Sequence, residues 1–313
     1  MKYGKFIIAS LILSTSTVRG EEGGSGHYLP GSMSSFIDGV PPTKTLIIRL
    51  NVIDYAGDYE NVLPIAGQTV ANIDVKSSGL GLTMVYRPDI DLGEKWSYAF
   101  GGTLPLVDLD VKGTVTSFGV DAITVTDNVS GMGDLMIMPI MLNQNINPDV
   151  NINYRVSIYA PTGDYTLGNL ANISKNFWTV EPTIGFIYFG QKNGIEASLF
   201  AGIDFNSKNN DTQYKSGNQA HIEATVAQHF PLWGGLTSAG ITGFYYKQIT
   251  GDSGIGATFG DFKAKATGVG PTISYIGKLN GLDIMTELKW LHELDTKKRV
   301  QGDTLFLKAV VKF

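Results

Sequence analysis

The 313-residue chain has no cysteine at all. A disulfide scaffold is therefore excluded, and the fold must rest on a core or on a closed hydrogen-bond ladder. Charge is scarce: 17% of residues are Asp, Glu, Lys or Arg, the net charge is −5, and no basic run occurs. A nucleic-acid footprint is thereby excluded. Histidine is limited to His27, His221, His229 and His292, with no metal-ligand spacing among them. Beyond the first twenty residues there is no stretch of about 18 apolar residues, so no transmembrane helix is expected. A sustained i, i+3, i+4, i+7 pattern is almost missing as well, which argues against a helical fold.

Glycine is abundant, with 38 residues, and 43% of the chain is hydrophobic. The start, "MKYGKFIIASLILSTSTVRG", has two lysines, an apolar run from Phe6 to Leu13, then small polar residues. That order predicts a secretory signal peptide over residues 1–20, cleaved after Gly20.

The dominant signal is alternation over about ten residues. "TLFLKAVVKF" closes the chain with Leu305, Leu307, Ala309, Val311 and Phe313 on one parity and Thr304, Lys308 and Lys312 on the other. "NINYRVSIYA" alternates Ile152, Tyr154, Val156 and Ile158 with Asn151, Asn153, Arg155 and Ser157. Read this way, strands fall at about 43–56, 78–88, 96–106, 133–143, 150–161, 176–189, 194–206, 218–230, 236–249, 265–277, 281–294 and 303–313. Connections alternate long and short, with long ones at about 57–77, 107–132, 162–175, 207–217 and 250–264. This rhythm belongs to a transmembrane antiparallel β-barrel of about 12 strands with both termini periplasmic. In hydrocarbon every backbone N–H and C=O must be paired internally, so the last strand has to close on the first and cannot fray. Pro139, Pro182 and Pro271 remove ladder donors, and bulges or breaks are expected there. Trp96 and Trp233 fall near one rim, Trp178 and Trp290 near the other, as aromatic belts do.

Three segments follow: the signal peptide, an N-terminal segment over 21–42, and the barrel over 43–313. The inward parity carries both signs of charge, including Arg49, Arg155, Glu196, Glu223, Glu287 and Lys289. An ion-selective pore would favour one sign; mixed signs favour wall-stabilising pairs. The inward parity also carries apolar residues. "GDLMIMPIMLNQ" is apolar on both faces, and Met136, Met138 and Ile140 are expected inside, with Phe200, Phe306 and Met285. A partly apolar lumen points to passage of a small hydrophobic or aromatic solute.

"EEGGSGHYLPGSMSSFIDGVPP" is Gly/Ser-rich and ends in Pro-Pro. It is either a disordered tether or a plug in the barrel mouth, with His27, Tyr28, Met33 and Phe36 as a possible gate. Catalysis finds no support. "AHIEATVAQH" sets His221 and His229 beside Glu223, but no serine is positioned as a nucleophile. "GDSGIG" is explained by turn chemistry, and "NNDTQYKSG" is a weak calcium pattern. No cofactor and no metal are expected.

Several segments together carry a family resemblance: "EGGSGHYLPGS", "GMGDLMIMPIML", "LGNLANISKNFWTVEPTIGF", "SGNQAHIEATVAQHF", "YYKQITGDSG" and "GVGPTISY". Over nearly all of residues 22–313 the chain resembles the outer-membrane channel family named for the MetA pathway of phenol degradation. The resemblance implies a monomeric twelve-stranded barrel in the bacterial outer membrane, accompanying pathways for aromatic or other hydrophobic compounds. It supplies no catalytic residue and no defined solute. The expected partners are outer-membrane lipids, the solute, and the barrel assembly machinery, since an ending on Phe313 is similar to the signature outer-membrane proteins present to it. The expected function is passive uptake of small hydrophobic or aromatic compounds. The alternatives are a general diffusion pore and a plugged or adhesive barrel whose long loops bind a partner.

Overall fold

A computed structural model describes residues 25–65, 68–117, 120–257 and 263–313. The expected signal peptide lies outside them. Alternating sequence becomes strand almost everywhere: β1 (Thr45–Tyr59), β2 (Leu63–Ile65), β3 (Gln68–Arg87), β4 (Trp96–Ser117), β5 (Val120–Met132), β6 (Leu135–Asn147), β7 (Val150–Ala160), β8 (Thr179–Phe189), β9 (Ile195–Asn206), β10 (Gln219–Leu232), β11 (Gly235–Gln248), β12 (Lys265–Leu279), β13 (Leu282–Lys297) and β14 (Gln301–Lys312). Among the described residues the one helical element is a 3-10 turn at Phe36–Asp38.

The strands form one antiparallel sheet that closes on itself. β14 pairs with β1, β1 with β3 and β3 with β4, and from β6 to β14 each strand pairs with the next. Twelve strands make the ring. β2 and β5 are additions: β2 folds back on β3, and β5 replaces β6 as the partner of β4 beyond Pro105. β5 and β6 are two parts of one strand broken at Gly133–Asp134. Closure reaches the last residue. Phe313 N–H donates to the Leu46 carbonyl at 2.9 Å, and its own carbonyl accepts from Leu46 N–H at 3.4 Å.

The wall is apolar outside and polar inside. Leu50, Leu82, Ile184, Val226, Ile241 and Ile273 are exposed, while Glu181, Glu223, Lys289 and Lys308 are fully buried. Such an arrangement is stable only where the outer face meets lipid. One edge of the belt can be placed by chemistry. Along β1, β3 and β4 the outward positions change from Val52, Leu80 and Leu106 to Asp54, Ser78 and Asp108. Register puts Val52 opposite Leu80 and Leu80 opposite Leu106, with Asp54, Ser78 and Asp108 aligned in the next outward row. A straight line of apolar-to-polar change across three strands marks the hydrocarbon boundary.

Beyond that line the structure departs from expectation. Residues 57–77 and 107–132 are largely strand, not loop. β3, β4 and β5 run on above the belt, where the outward side chains are Lys76, Asp108, Asp110 and Asn128. Their inward side chains, Val75, Leu109, Val111 and Val129, build a separate core with Leu63, Ile65, Val70, Ile73 and Leu170. The alternation there is apolar-in and polar-out, opposite to the belt, so a search for outward apolar residues passes over it. Of the three prolines, Pro139 sits at a register shift between Ile137 and Ile140. Pro182 and Pro271 do not break the register, because the pairings on either side of each keep the same offset.

Candidate functional site

Residues 25–42 do not hang outside the ring. They run through the lumen, and nearly every side chain the sequence marked as a gate is held there. His27 Nδ1 lies 2.7 Å from Thr179 Oγ1, and its Nε2 lies 2.9 Å from Asp134 Oδ2. The Tyr28 hydroxyl donates to Glu223 Oε1 at 2.6 Å, and Gly31 N–H donates to the same oxygen at 2.9 Å. Met33 is buried against Ile187 and Phe200. Phe36 N–H donates to Glu196 Oε1 at 2.9 Å, and its ring meets Phe189 and His229. Ser34 takes a left-handed φ of 103°, a conformation ordinary side chains avoid. Its surroundings over-determine it: its hydroxyl is 3.2 Å from Thr225 Oγ1 and accepts from Lys289 Nζ at 3.4 Å.

The centre of this seat is Asp38, on the 3-10 turn. Its carboxylate accepts from Arg49 Nη1 at 2.6 Å and from Lys308 Nζ at 2.8 and 2.9 Å. Its carbonyl accepts from Arg155. Lys308 also meets Glu287 at 3.3 Å, and Lys289 meets Glu287 at 3.0 Å and the Gly31 and Met33 carbonyls. Asp38, Arg49, Glu287, Lys289 and Lys308 are thus one linked set of ion pairs that clasps the N-terminal segment, while Glu196, Glu223 and Arg155 hold it by hydrogen bonds. Asp38 was not singled out by sequence reasoning. The available signal was that Asp38 is the one acid of residues 25–42, close before the barrel.

Toward the end away from Thr45 and Phe313 the lumen holds a largely apolar space. A cavity of about 480 Å³ runs from the Asp38–Arg49 pair up into the extension core. Its walls include Ile53, Ile73, Val111, Met136, Met138 and Phe306, with Leu29 and Met33 of the N-terminal segment below. Residues 161–178 fold over one side. Asp134, at the break between β5 and β6, accepts from Gly163 N–H at 3.1 Å and Lys175 N–H at 2.8 Å, besides its contact with His27. At the far rim Asp252 accepts from the Tyr214 hydroxyl and from Gly217 N–H at 2.9 Å. Burial pushes the Asp252 carboxyl up in spite of these donors.

Met138, Phe200, Phe306, Arg49, Arg155, Glu196, Glu223, Glu287 and Lys289 are all buried toward the lumen, and Met136 and Met285 are half-buried against the same cluster. Ile140 is not among them: it is 45% exposed on the lipid face. The bulge at Pro139 adds one residue and inverts the parity beyond it, so Met141 takes the inward place. Of the set, Met136, Met138, Phe306, Arg49 and Arg155 line the cavity. Phe200, Met285, Glu196, Glu223, Glu287 and Lys289 lie outside it, in the packing around the N-terminal segment.

Phe200 is held by an absence. It faces Gly185 across β8 and β9, its ring occupies the space a Cβ at Gly185 would need, and Arg155 lies over it at 5.6 Å. Gly185→Ala should destabilise the barrel by about 1–3 kcal/mol through overpacking. The check is the urea midpoint in vesicles, and Phe200→Leu in the same chain should recover part of the loss.

The profile of the family described as "Putative MetA-pathway of phenol degradation" matches residues 62–309. The chain belongs to this family. Among solved structures, the COG4313 outer membrane channel from Pseudomonas putida F1 is similar with a TM-score of 0.69 at 15% identity, over 91% of this chain and 100% of that one. The β domain of the Bordetella autotransporter Brka is similar with a TM-score of 0.50 at 9% identity, over 87% and 100%. A comparison with curated protein sequences finds no match. At these identities the structural likeness concerns fold, and the fold is that of bacterial outer-membrane barrels. With its closed ring and lipid-facing belt, this member of the phenol-degradation family is a bacterial outer-membrane β-barrel.

Proposed function

We propose that the barrel is an outer-membrane channel for passive uptake of small hydrophobic or aromatic compounds. The observation that carries this reading is the apolar cavity. A water-filled porin has a polar lumen; here Leu, Ile, Val, Met and Phe side chains make up much of the lining from the extension core to mid-barrel, with Arg49, Arg155, Glu293 and Arg299 among them. An apolar solute gains free energy from leaving water for such a surface, and methionines adapt to solutes of different shape. Passage beyond mid-barrel requires the N-terminal segment to yield, since its ion pairs and packed rings close the cavity below. In this reading the long strands, residues 161–178 and the start of the N-terminal segment at Ser25–His27 face outward, while the start of β1 and Phe313 face the periplasm. No covalent chemistry is assigned to any residue. A plugged structural barrel is the second reading, favoured by the number of buried bonds that hold residues 25–42.

The test is uptake of labelled aromatic and aliphatic compounds, alongside sugars, into proteoliposomes carrying the mature chain. Apolar solutes should enter faster than in lipid-only vesicles, and Met136→Trp, which fills the cavity, should remove most of that gain. Equal rates with and without the protein would favour the plugged barrel. Sugar flux alone would make it a general pore.

A further inference from the structure

Three adjacent strands bring Glu181 of β8, Asp204 of β9 and His221 of β10 together on the lumen face. The offset between β8 and β9, set by Thr179 opposite Asn206 and Thr183 opposite Gly202, places Glu181 across from Asp204. His221 pairs with Gly202, two residues along from Asp204 and on the same face. Two carboxylates directly opposite each other repel, and such pairs are avoided in sheets. Here they are also buried: Glu181 and Asp204 have no exposed surface, and His221 is 1% exposed.

Glu181 is well supplied with partners. It accepts from the Tyr159 hydroxyl at 2.8 Å and the Thr183 hydroxyl at 3.3 Å, and His221 Nε2 approaches at 2.9 Å. Asp204 is not. Neither of its oxygens has a partner with hydrogen-bond geometry; the Tyr28 amide is directed at it, and His221 Nε2 stands 3.8 Å away. The His221 ring nitrogens are likewise without a well-formed hydrogen bond. A buried carboxylate without a partner costs far more than one exposed to water, so something must complete the site.

One ligand atom from each residue lies within 4.8 Å of the other two. In a tetrahedral zinc site, ligands at about 2.0–2.1 Å from the metal stand roughly 3.3 Å apart. The approaches of 2.9 and 3.8 Å from His221 Nε2 bracket that spacing. One imidazole and two carboxylates suit a divalent transition ion, with a fourth position left open. The remaining surroundings fix the histidine. A Cβ at Gly202 would collide with the His221 ring, so only glycine lets the ring lie against the wall there. Tyr28 stacks on the other face of the ring at 3.8 Å. Tyr28 and Tyr159 both line the cavity, which gives an ion a way in.

We propose that Glu181, Asp204 and His221 bind one divalent transition-metal ion, with Zn²⁺ as the preferred occupant, beneath Tyr28. The ion balances two facing carboxylates and stiffens the wall where the N-terminal segment is seated. This site is separate from solute passage, and its test does not depend on flux.

Folded mature chain in detergent is stripped with a chelator, and Zn²⁺ alone is then added and counted by elemental analysis after desalting. Co²⁺ substitution reports the geometry by its visible absorption. The expected result is one Zn²⁺ per chain, with affinity at least about 10-fold weaker in both Asp204→Asn and His221→Gln, since loss of second-shell groups alone costs 10–100-fold. Asp204→Asn also removes an unpartnered buried charge, so it should fold; heat-dependent gel migration checks this for both variants. Substoichiometric zinc in the wild type, or affinity unchanged in the two folded variants, would overturn the assignment and leave a shared proton as the group that completes the cluster.

Discussion

Asp38→Asn is expected to raise single-channel conductance several-fold. The substitution keeps shape and removes one negative charge from the middle of a buried set. Arg49 and Lys308 both point at that carboxylate, and Arg155 bonds the carbonyl of the same residue. With the charge gone, these cations face one another without their shared counter-ion, and Glu287 alone remains beside Lys308. Breaking a buried ion pair by removing one partner costs about 3–5 kcal/mol. The least costly response is for Phe36–Val40 to leave the lumen and let water reach the cations. The outer anchors, His27 with Asp134 and Tyr28 with Glu223, should stay in place. Conductance should therefore rise toward, but not reach, that of a chain lacking residues 25–42. Lys308→Met added to Asp38→Asn should restore part of the closed state, because the two sites are in contact and their effects do not add. Planar-bilayer recordings at one salt concentration decide it, and wild-type conductance in Asp38→Asn would show that the segment is held by packing alone.

Leu82→Arg should destabilise the folded barrel by about 2–4 kcal/mol, the cost of a cation near the middle of the hydrocarbon layer. Leu82 is 43% exposed on β3, between the boundary residue Leu80 and the rim residue Tyr86. Ser78→Arg, four residues further along the same face, should change stability by no more than about 0.5 kcal/mol. Both side chains point outward from the same strand, so local propensity and steric demand are matched. Only depth differs. Urea unfolding in lipid vesicles gives both values, and equal losses at the two positions would mean that the belt edge is not where Ser78 and Asp108 place it.

Much of this protein was legible in its residues. Alternation over ten residues is a direct imprint of a wall with lipid on one face, since each outward position is selected by hydrocarbon whatever its distant neighbours. The end of the chain shows this most plainly, where Leu305, Leu307 and Phe313 face out and the backbone of Phe313 pairs with Leu46. Twelve ring strands, the inward charges and a lumen lined in part by methionine follow from the same logic. Where outward residues turn polar, as at Lys76, Asp108 and Asn128, the imprint is lost, and strands there read as loops.

What only the tertiary structure decided depends on strand offset and on a segment with no periodicity. The bulge at Pro139 moves Ile140 to the lipid face and brings Met141 inside, because one added residue inverts every side chain after it. The N-terminal segment carries no alternation, so nothing in its spacing shows that Asp38 meets Arg49, Lys308 and Arg155. Glu181, Asp204 and His221 come from three strands, and their meeting is set by register. The residues determined that there is a barrel and which way its walls face. Closure of the ring determined which buried charges meet, because residues far apart along the chain become neighbours only when the strands are in register.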